Sequence, residues 1–297
     1  MRAYYSDSFV LPLPPGHRFP MEKYARLRAR VVAELPPGAV QLELAPAASD
    51  ADILRAHDMA WLQAVVTGTL SPKQQRDIGF PWSEQMVERS RRSSGATVAA
   101  CRAALEDGTA VNLAGGTHHA FRDHGGGYCV FNDAAIAATA MQAGGHVQRV
   151  VVVDCDVHQG DGTASILAGD ASVFTFSIHG RNNYPFVKQS SDLDIELDDG
   201  TGDDEYLERL AGGLDHALAA ARAGLAIYLA GANPYKGDRL GRLSLSRRGL
   251  AERDRLVFGR CAAAGLPVAA CMAGGYAHEI DETVDIHLQT VRLAAGC

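Results

Sequence analysis

Four β-branched residues in a row, Val150–Val153, give way at once to Asp154, Asp156 and His158, the sharpest change of polarity along the chain. An unbroken apolar run of this length predicts a strand buried on both faces. Alternate side chains of an extended segment share one side, so Asp154, Asp156 and His158 project together, with Cys155 and Val157 opposite. Gly160, Asp161 and Gly162 then predict a sharp turn. Similar apolar runs predict strands at Arg2–Tyr5, Ala110–Ala114, Val173–Ile178, Leu225–Ala230 and Pro267–Met272. Val40, Leu42 and Leu44 alternate with Gln41 and Glu43, the pattern of a half-exposed strand.

Tyr24, Leu27, Val31 and Leu35 recur at helical spacing and predict an amphipathic helix over Met21–Leu35. Ser49 is placed to cap a helix running to about Val66, and Ser246 one running to Ala264. Further helices are predicted over Ser94–Glu106, Asp133–Ala143, Asp203–Ala223 and Glu279–Ala294. Leu11–Pro20 and Gly68–Ser83 read as loops for their prolines, and Arg181–Thr201 for its polarity. Alternation of strand and helix from residue 110 onward predicts an α/β fold with a mostly parallel sheet. There is no internal repeat, low-complexity stretch or linker, so residues 1–297 read as one domain.

Composition narrows the function classes. The chain has 297 residues, 47% of them hydrophobic, enough for a sizeable core. Net charge is −7, with no basic face of the kind nucleic acid requires. Mild acidity of this kind helps attract basic peptides. The Arg-Ser-Arg-Arg stretch at Arg89–Arg92 reads as a solvated helix face. Six cysteines without a C-x-x-C pair, most in apolar surroundings, predict reduced core thiols and a cytoplasmic protein. The N-terminal segment lacks the apolar stretch of a signal peptide, and no apolar run is long enough to span a membrane.

In open α/β sheets, ligands bind beyond the carboxyl ends of the strands. His118-His119, Asp154–Asp161, Asn233 and Tyr276 all follow predicted strands. An Asp and a His two residues apart can share a divalent metal that activates water. Adjacent His118 and His119, with spare carboxylates to orient them, are acid/base candidates. Tyr276, after two glycines, can polarise a carbonyl.

The ordered segments Ala114–Ala120 (AGGTHHA), Gly125–Asp133 (GGGYCVFND), Val152–Gly162 (VVDCDVHQGDG), Gly237–Ser246 (GDRLGRLSLS) and Ala273–Ala277 (AGGYA) resemble the histone deacetylase family. HQGDG with NNYPF, GTGDDEYL and GDRLG is most similar to its class IV branch and bacterial relatives. The resemblance implies an arginase/deacetylase-like three-layer α/β/α fold around a sheet of about eight strands. It implies one Zn²⁺, or Fe²⁺, and hydrolysis of an N-acyl amine, typically acyl-lysine. By position, Asp156 and His158 would be metal ligands. His119, oriented by Asp161, would be general base and then acid. His118, paired with Asp154, would stabilise the transition state, and Tyr276 would bond the scissile carbonyl. Gly127, Tyr128 and Tyr184 would line the acyl tunnel. A structural K⁺ would use Asp154, Asp156, His158 and Ser177, mostly through backbone carbonyls.

One position departs from the pattern. Asn233 stands where the family's third metal ligand is an Asp. A neutral amide is a poorer donor, so weakened metal binding and low or no activity are expected. The change is compatible with an introduced substitution, a natural variant of altered metal preference, or a protein that only binds. Three further readings stand beside the acyl-lysine deacylase: a hydrolase of small acylated amines such as acetylpolyamines, a two-metal arginase-like ureohydrolase, and a non-catalytic binder of acylated ligands. The His pair and Tyr276 speak against the ureohydrolase.

Overall fold

The computed structural model describes residues 1–297. Its strands are β1 Arg2–Tyr5, β2 Gln41–Leu44, β3 Thr109–Asn112, β4 Val150–Asp154, β5 Val173–Gly180, β6 Leu193–Leu197, β7 Leu225–Leu229 and β8 Val268–Cys271. They form a single sheet in the order β2-β1-β3-β8-β7-β4-β5-β6. Every pairing is parallel, so the sheet is wholly rather than mostly so. Strand β4 lies between β5 and β7, buried along its whole length. That position explains its unbroken valines: Val150 and Val152 enter one core, Val151 and Val153 the other.

Ten helices cover the two faces. Helices α1 (Lys23–Glu34), α8 (Asp203–Ala221), α9 (Arg247–Ala263) and α10 (Ile280–Ala294) share one core with the sheet. Helices α2 (Asp50–Ala56), α3 (Met59–Thr67), α5 (Glu84–Asp107), α6 (Asp133–Ala143) and α7 (Asp161–Leu167) share the other. Helix α4 (Pro72–Ile78) lies beside the strand ends, where its last turn meets Tyr128. None is long and apolar enough to cross a membrane.

The structure corrects several expectations. The helix predicted from Ser49 to Val66 is two, α2 and α3, interrupted at His57-Asp58. Buried His57 there accepts the Asn132 backbone N–H. The segment 68–83 contains α4, set by a capping box between Ser71 and Gln74 with Pro72 in the first turn. Helix α5 starts at Glu84, not near Ser94, because Ser83 caps it through the Met86 N–H. The Arg181–Thr201 loop holds edge strand β6, paired with β5 without an intervening helix. Asp161 opens α7 rather than a simple turn. Arg89 is not solvated: it is buried, its guanidinium 4.3 Å from the Tyr24 ring centroid and bonded to the Ser6 carbonyl. Arg91 and Arg92 pair with Asp50 and Glu88 and are also partly covered. Five cysteines are buried and unpaired, whereas Cys297 is exposed.

Candidate active site

Beyond Asp154 the chain leaves the sheet but keeps its alternation. Cys155 and Val157 sink into the core of Val151 and Val153. Asp156 and His158 turn the other way and line a cavity of about 590 Å³ at the carboxyl ends of the strands. Asp154 holds this exit in place, its Oδ1 accepting the Asp156 backbone N–H at 3.0 Å.

The His118-His119 turn reaches the same cavity after β3. Its anchor is Asp133, at the start of α6. Asp133 accepts hydrogen bonds from the Gly116 and Thr117 N–H groups at 2.9 and 2.7 Å, and from the Thr97 and Thr117 hydroxyls. Asn132 donates to the carbonyls of His118 and Ala120 while capping α6 through the Ala135 N–H. The sequence alone marks neither residue as functional, although both lie inside GGGYCVFND; their signal is two polar side chains at a helix start where one cap suffices.

Two parallel dyads result. His118 Nδ1 lies 2.6 Å from Asp154 Oδ2, and His119 Nδ1 lies 2.6 Å from Asp161 Oδ1. The imidazole centroids are 4.2 Å apart. Burial disfavours the charged form of both, but the nearby Asp154 carboxylate overrides it at His118, whose pKa is pushed up to about 9. At His119, burial and the charge on His118 outweigh Asp161 and bring the pKa down to about 4. Near neutral pH the pair is therefore one imidazolium and one neutral base. Burial alone would raise Asp156, but cationic His118 and the His158 hydrogen bonds hold it below the usual carboxylate range.

Tyr276 follows Ala273-Gly274-Gly275 beyond β8. Its N–H donates to Asp238 Oδ2 at 2.6 Å and its carbonyl accepts from Arg239 Nε at 3.0 Å. Asp238 also accepts the Leu240 and Gly241 N–H groups. The Gly-Asp-Arg-Leu-Gly segment thus buckles itself to the tyrosine loop, a role the sequence did not indicate. The phenol is buried, which raises its pKa well above the ordinary range, and its hydroxyl has no protein partner. Gly127, Tyr128 and Tyr184 also line the cavity. At Gly127, with φ +52°, a Cβ would stand 2.7 Å from His119 Cδ2, so only glycine lets the wall close on the imidazole. The Tyr128 ring lies 5.9 Å from Tyr276 and the Tyr184 ring 4.8 Å from His119. Ser177 sits behind the site, in register with Asp154, its hydroxyl 2.9 Å from His179 Nδ1.

A metal needs lone pairs converging on one point. Asp156 and His158 supply two donors, with Asp156 Oδ1 3.0 Å from His158 Nδ1. Asn233 does not supply a third. Its Oδ1 accepts the Val157 N–H at 3.0 Å, so its NH₂ end faces Asp156 Oδ1 at 2.7 Å and His158 Nδ1 at 3.3 Å. Turning the amide over would set two donors against each other, leaving the buried Val157 N–H unpaired at a cost of roughly 1–3 kcal/mol. These residues do not fit a three-donor metal centre.

The comparisons agree with this architecture. The histone deacetylase domain model matches residues 17–291. The chain is 45% identical over 286 residues to an uncharacterised protein of Picosynechococcus, covering 95% of this chain and 94% of that one. It is 34% identical over 200 residues to histone deacetylase 2 of Arabidopsis thaliana, covering 66% of this chain and 52% of that protein. It is 30% identical over 250 residues to a histone deacetylase-like amidohydrolase of Pseudomonas aeruginosa, covering 79% and 65%. The fold matches the crystal structure of the HD domain of HDA15 at a TM-score of 0.84 and 20% identity, covering 100% of this chain and 91% of that one. An HDAC homolog complexed with SAHA matches at 0.85 and 20%, covering 100% and 84%. With a family model spanning nearly its whole length and an eight-stranded parallel sheet of the matching kind, this chain belongs to the histone deacetylase family.

Proposed function

We propose that this chain, as one catalytic-type domain, binds N-acylated amines, acyl-lysine peptides foremost, and that Asn233 reduces or abolishes their hydrolysis. The observation that carries the reading is the pair of His–Asp dyads at 2.6 Å, set on the cavity that Tyr276, Tyr128 and Gly127 also line. In this reading the acyl group enters between Tyr128 and Tyr184. Its carbonyl oxygen accepts from the free Tyr276 hydroxyl and faces the His118 imidazolium, whose charge favours a developing oxyanion. Neutral His119, oriented by Asp161, is the base that takes a proton from water and returns it to the leaving amine. Hydrolysis in the family is generally metal-dependent, and the donor set here lacks the third ligand that dependence calls for. Asn233→Asp supplies that carboxylate, and Zn²⁺ or Fe²⁺ would then provide a Lewis acid. A structural K⁺ at the carbonyls of Asp154, Asp156, His158 and Ser177, and a cytoplasmic location, belong to the same reading.

The test pairs the chain with Asn233→Asp, measuring bound metal and hydrolysis across lysine peptides carrying acetyl to long acyl groups. Metal binding and turnover in the variant alone support the deacylase ancestry and the disabling role of Asn233. If the variant binds metal yet hydrolyses no acylated amine, the catalytic assignment fails. A purely binding role is favoured by one specific observation, the Asn233 amide that donates to Asp156 Oδ1 and sets its NH₂ end 3.3 Å from His158 Nδ1. It predicts acyl-peptide binding without turnover even in the variant.

A further inference from the structure

The cavity mouth carries a charge pattern opposite to that of the whole chain. Arg76, Arg239 and Arg242 line it, against one carboxylate near the surface, Asp77. Asp77 is already engaged by Lys73 at 2.6 Å, and Arg242 by Asp199 at 3.1 Å. Arg76 and Arg239 are exposed and have no carboxylate partner. Both are placed by the tunnel wall itself. Arg76 is in the last turn of α4, and the next two residues, Asp77 and Ile78, accept the Gly127 and Tyr128 N–H groups through their carbonyls. Arg239 is tied to the Tyr276 and Arg18 carbonyls. Arg76 and Arg239 line the same cavity as Tyr128 and Tyr276, whose rings lie 5.9 Å apart.

On the reading that the cavity takes an acylated amine, we infer that its mouth selects acylated amines with an anionic group near the acylated nitrogen. An acyl-lysine flanked by Asp or Glu is the fitting class. A basic tail peptide or an acetylpolyamine brings like charge to the two unpaired guanidiniums. The net charge of −7 does not reverse this, because charges beyond about 10 Å are largely screened while the rim arginines touch the ligand. Guanidiniums with five donors in a planar fork also match a carboxylate geometrically.

The test is fluorescence-anisotropy binding of Nε-acetyl-lysine peptides to the native chain, the peptides differing only in flanking Glu, Gln or Lys, with an acetylpolyamine as competitor. At low salt the Glu peptide is expected to bind roughly fivefold tighter than the Gln peptide, and the Lys peptide and polyamine weakest. The preference is expected to fade as salt rises. Arg76→Gln should reduce the ratio of Glu-peptide to Gln-peptide affinity, and Arg76→Glu should reverse it. Equal binding of the Glu and Gln peptides, or tightest binding of the Lys peptide or polyamine, overturns the charge selection while leaving acyl-amine binding intact. If no acylated amine binds, the underlying reading fails and this inference with it.

Discussion

Asn233 donates an amide hydrogen to Asp156 Oδ1 across 2.7 Å, both side chains being almost wholly buried. A cation shared by the two carboxylates of an Asp pair would meet the same need for positive charge that this N–H meets with partial charge. The native chain should therefore melt at the same temperature with and without a chelator. Asn233→Asp places a second carboxylate against the first, and its metal-free form should lose roughly 2 kcal/mol through the broken hydrogen bond alone. Zn²⁺ should then restore it by mass action, by about 4 kcal/mol at a thousandfold excess over Kd. Thermal melts of both proteins with EDTA and with ZnCl₂ check this. A native melting temperature that falls in EDTA contradicts the assigned amide orientation.

The His118–Asp154 dyad predicts how stability depends on pH. The folded-state pKa of about 9 lies above the ordinary 6.5, so the folded chain holds a proton that the unfolded chain releases between those values. The dyad's contribution is then complete below about pH 6.5 and is lost as pH rises through about 9. Urea midpoints of the native chain should fall between pH 6.5 and 9, whereas Asp154→Asn should start lower and show a flatter limb in that window. His119 has the opposite sign: its pKa of about 4 makes stability fall as pH drops from 6.5. Parallel alkaline limbs in the native chain and Asp154→Asn would refute the dyad's charge state.

Tyr276 lines the cavity and its hydroxyl makes no hydrogen bond to protein, so Tyr276→Phe should change stability by no more than about 0.5 kcal/mol. Acyl-lysine peptide affinity should fall roughly fivefold, the worth of one neutral hydrogen bond. In the Asn233→Asp background, turnover should fall by roughly 10²–10³-fold if the phenol holds the oxyanion. Melting curves, peptide titration and hydrolysis rates separate these effects. Unchanged affinity and turnover would remove Tyr276 from the site.

The strand-end chemistry was legible because burial and charge change abruptly there. Val150–Val153 had to be central, and a run of Asp, Asp and His after it could only emerge where the sheet ends. The order of the motifs also led to the three-layer fold. What hid from the sequence was whatever depended on tertiary partners. Strand β6 reads as polar because it is an edge strand, where Asp194 and Glu196 need not be apolar. Arg89 reads as solvated because nothing local indicates that Tyr24, some 65 residues earlier, provides a face for its guanidinium. Asn233 reads as an altered donor from its motif, but only the Val157 N–H reveals which end of its amide faces inward.

Arg253 is the fully buried cation that joins the two halves of the altered ligand set. It is paired with Asp254 at 2.8 Å and donates to the carbonyls of Cys155 and Gly231. Cys155 immediately precedes Asp156, and Gly231 lies two residues before Asn233, so one guanidinium ties both loops from behind. Asp254 in turn accepts the Tyr228 and Thr290 hydroxyls. Arg253→Met removes the cation and leaves a buried carboxylate, which should cost roughly 3–5 kcal/mol. The double change Arg253→Met with Asp254→Leu removes both charges and should recover part of that loss, because the uncompensated carboxylate is the larger penalty. The two carbonyls stay without their donor in either protein, so acyl-peptide affinity should remain reduced even where stability returns. Urea unfolding with peptide titration of the single and double variants measures both quantities. Full recovery of affinity along with stability would show that Arg253 holds the fold and not the spacing of the two loops.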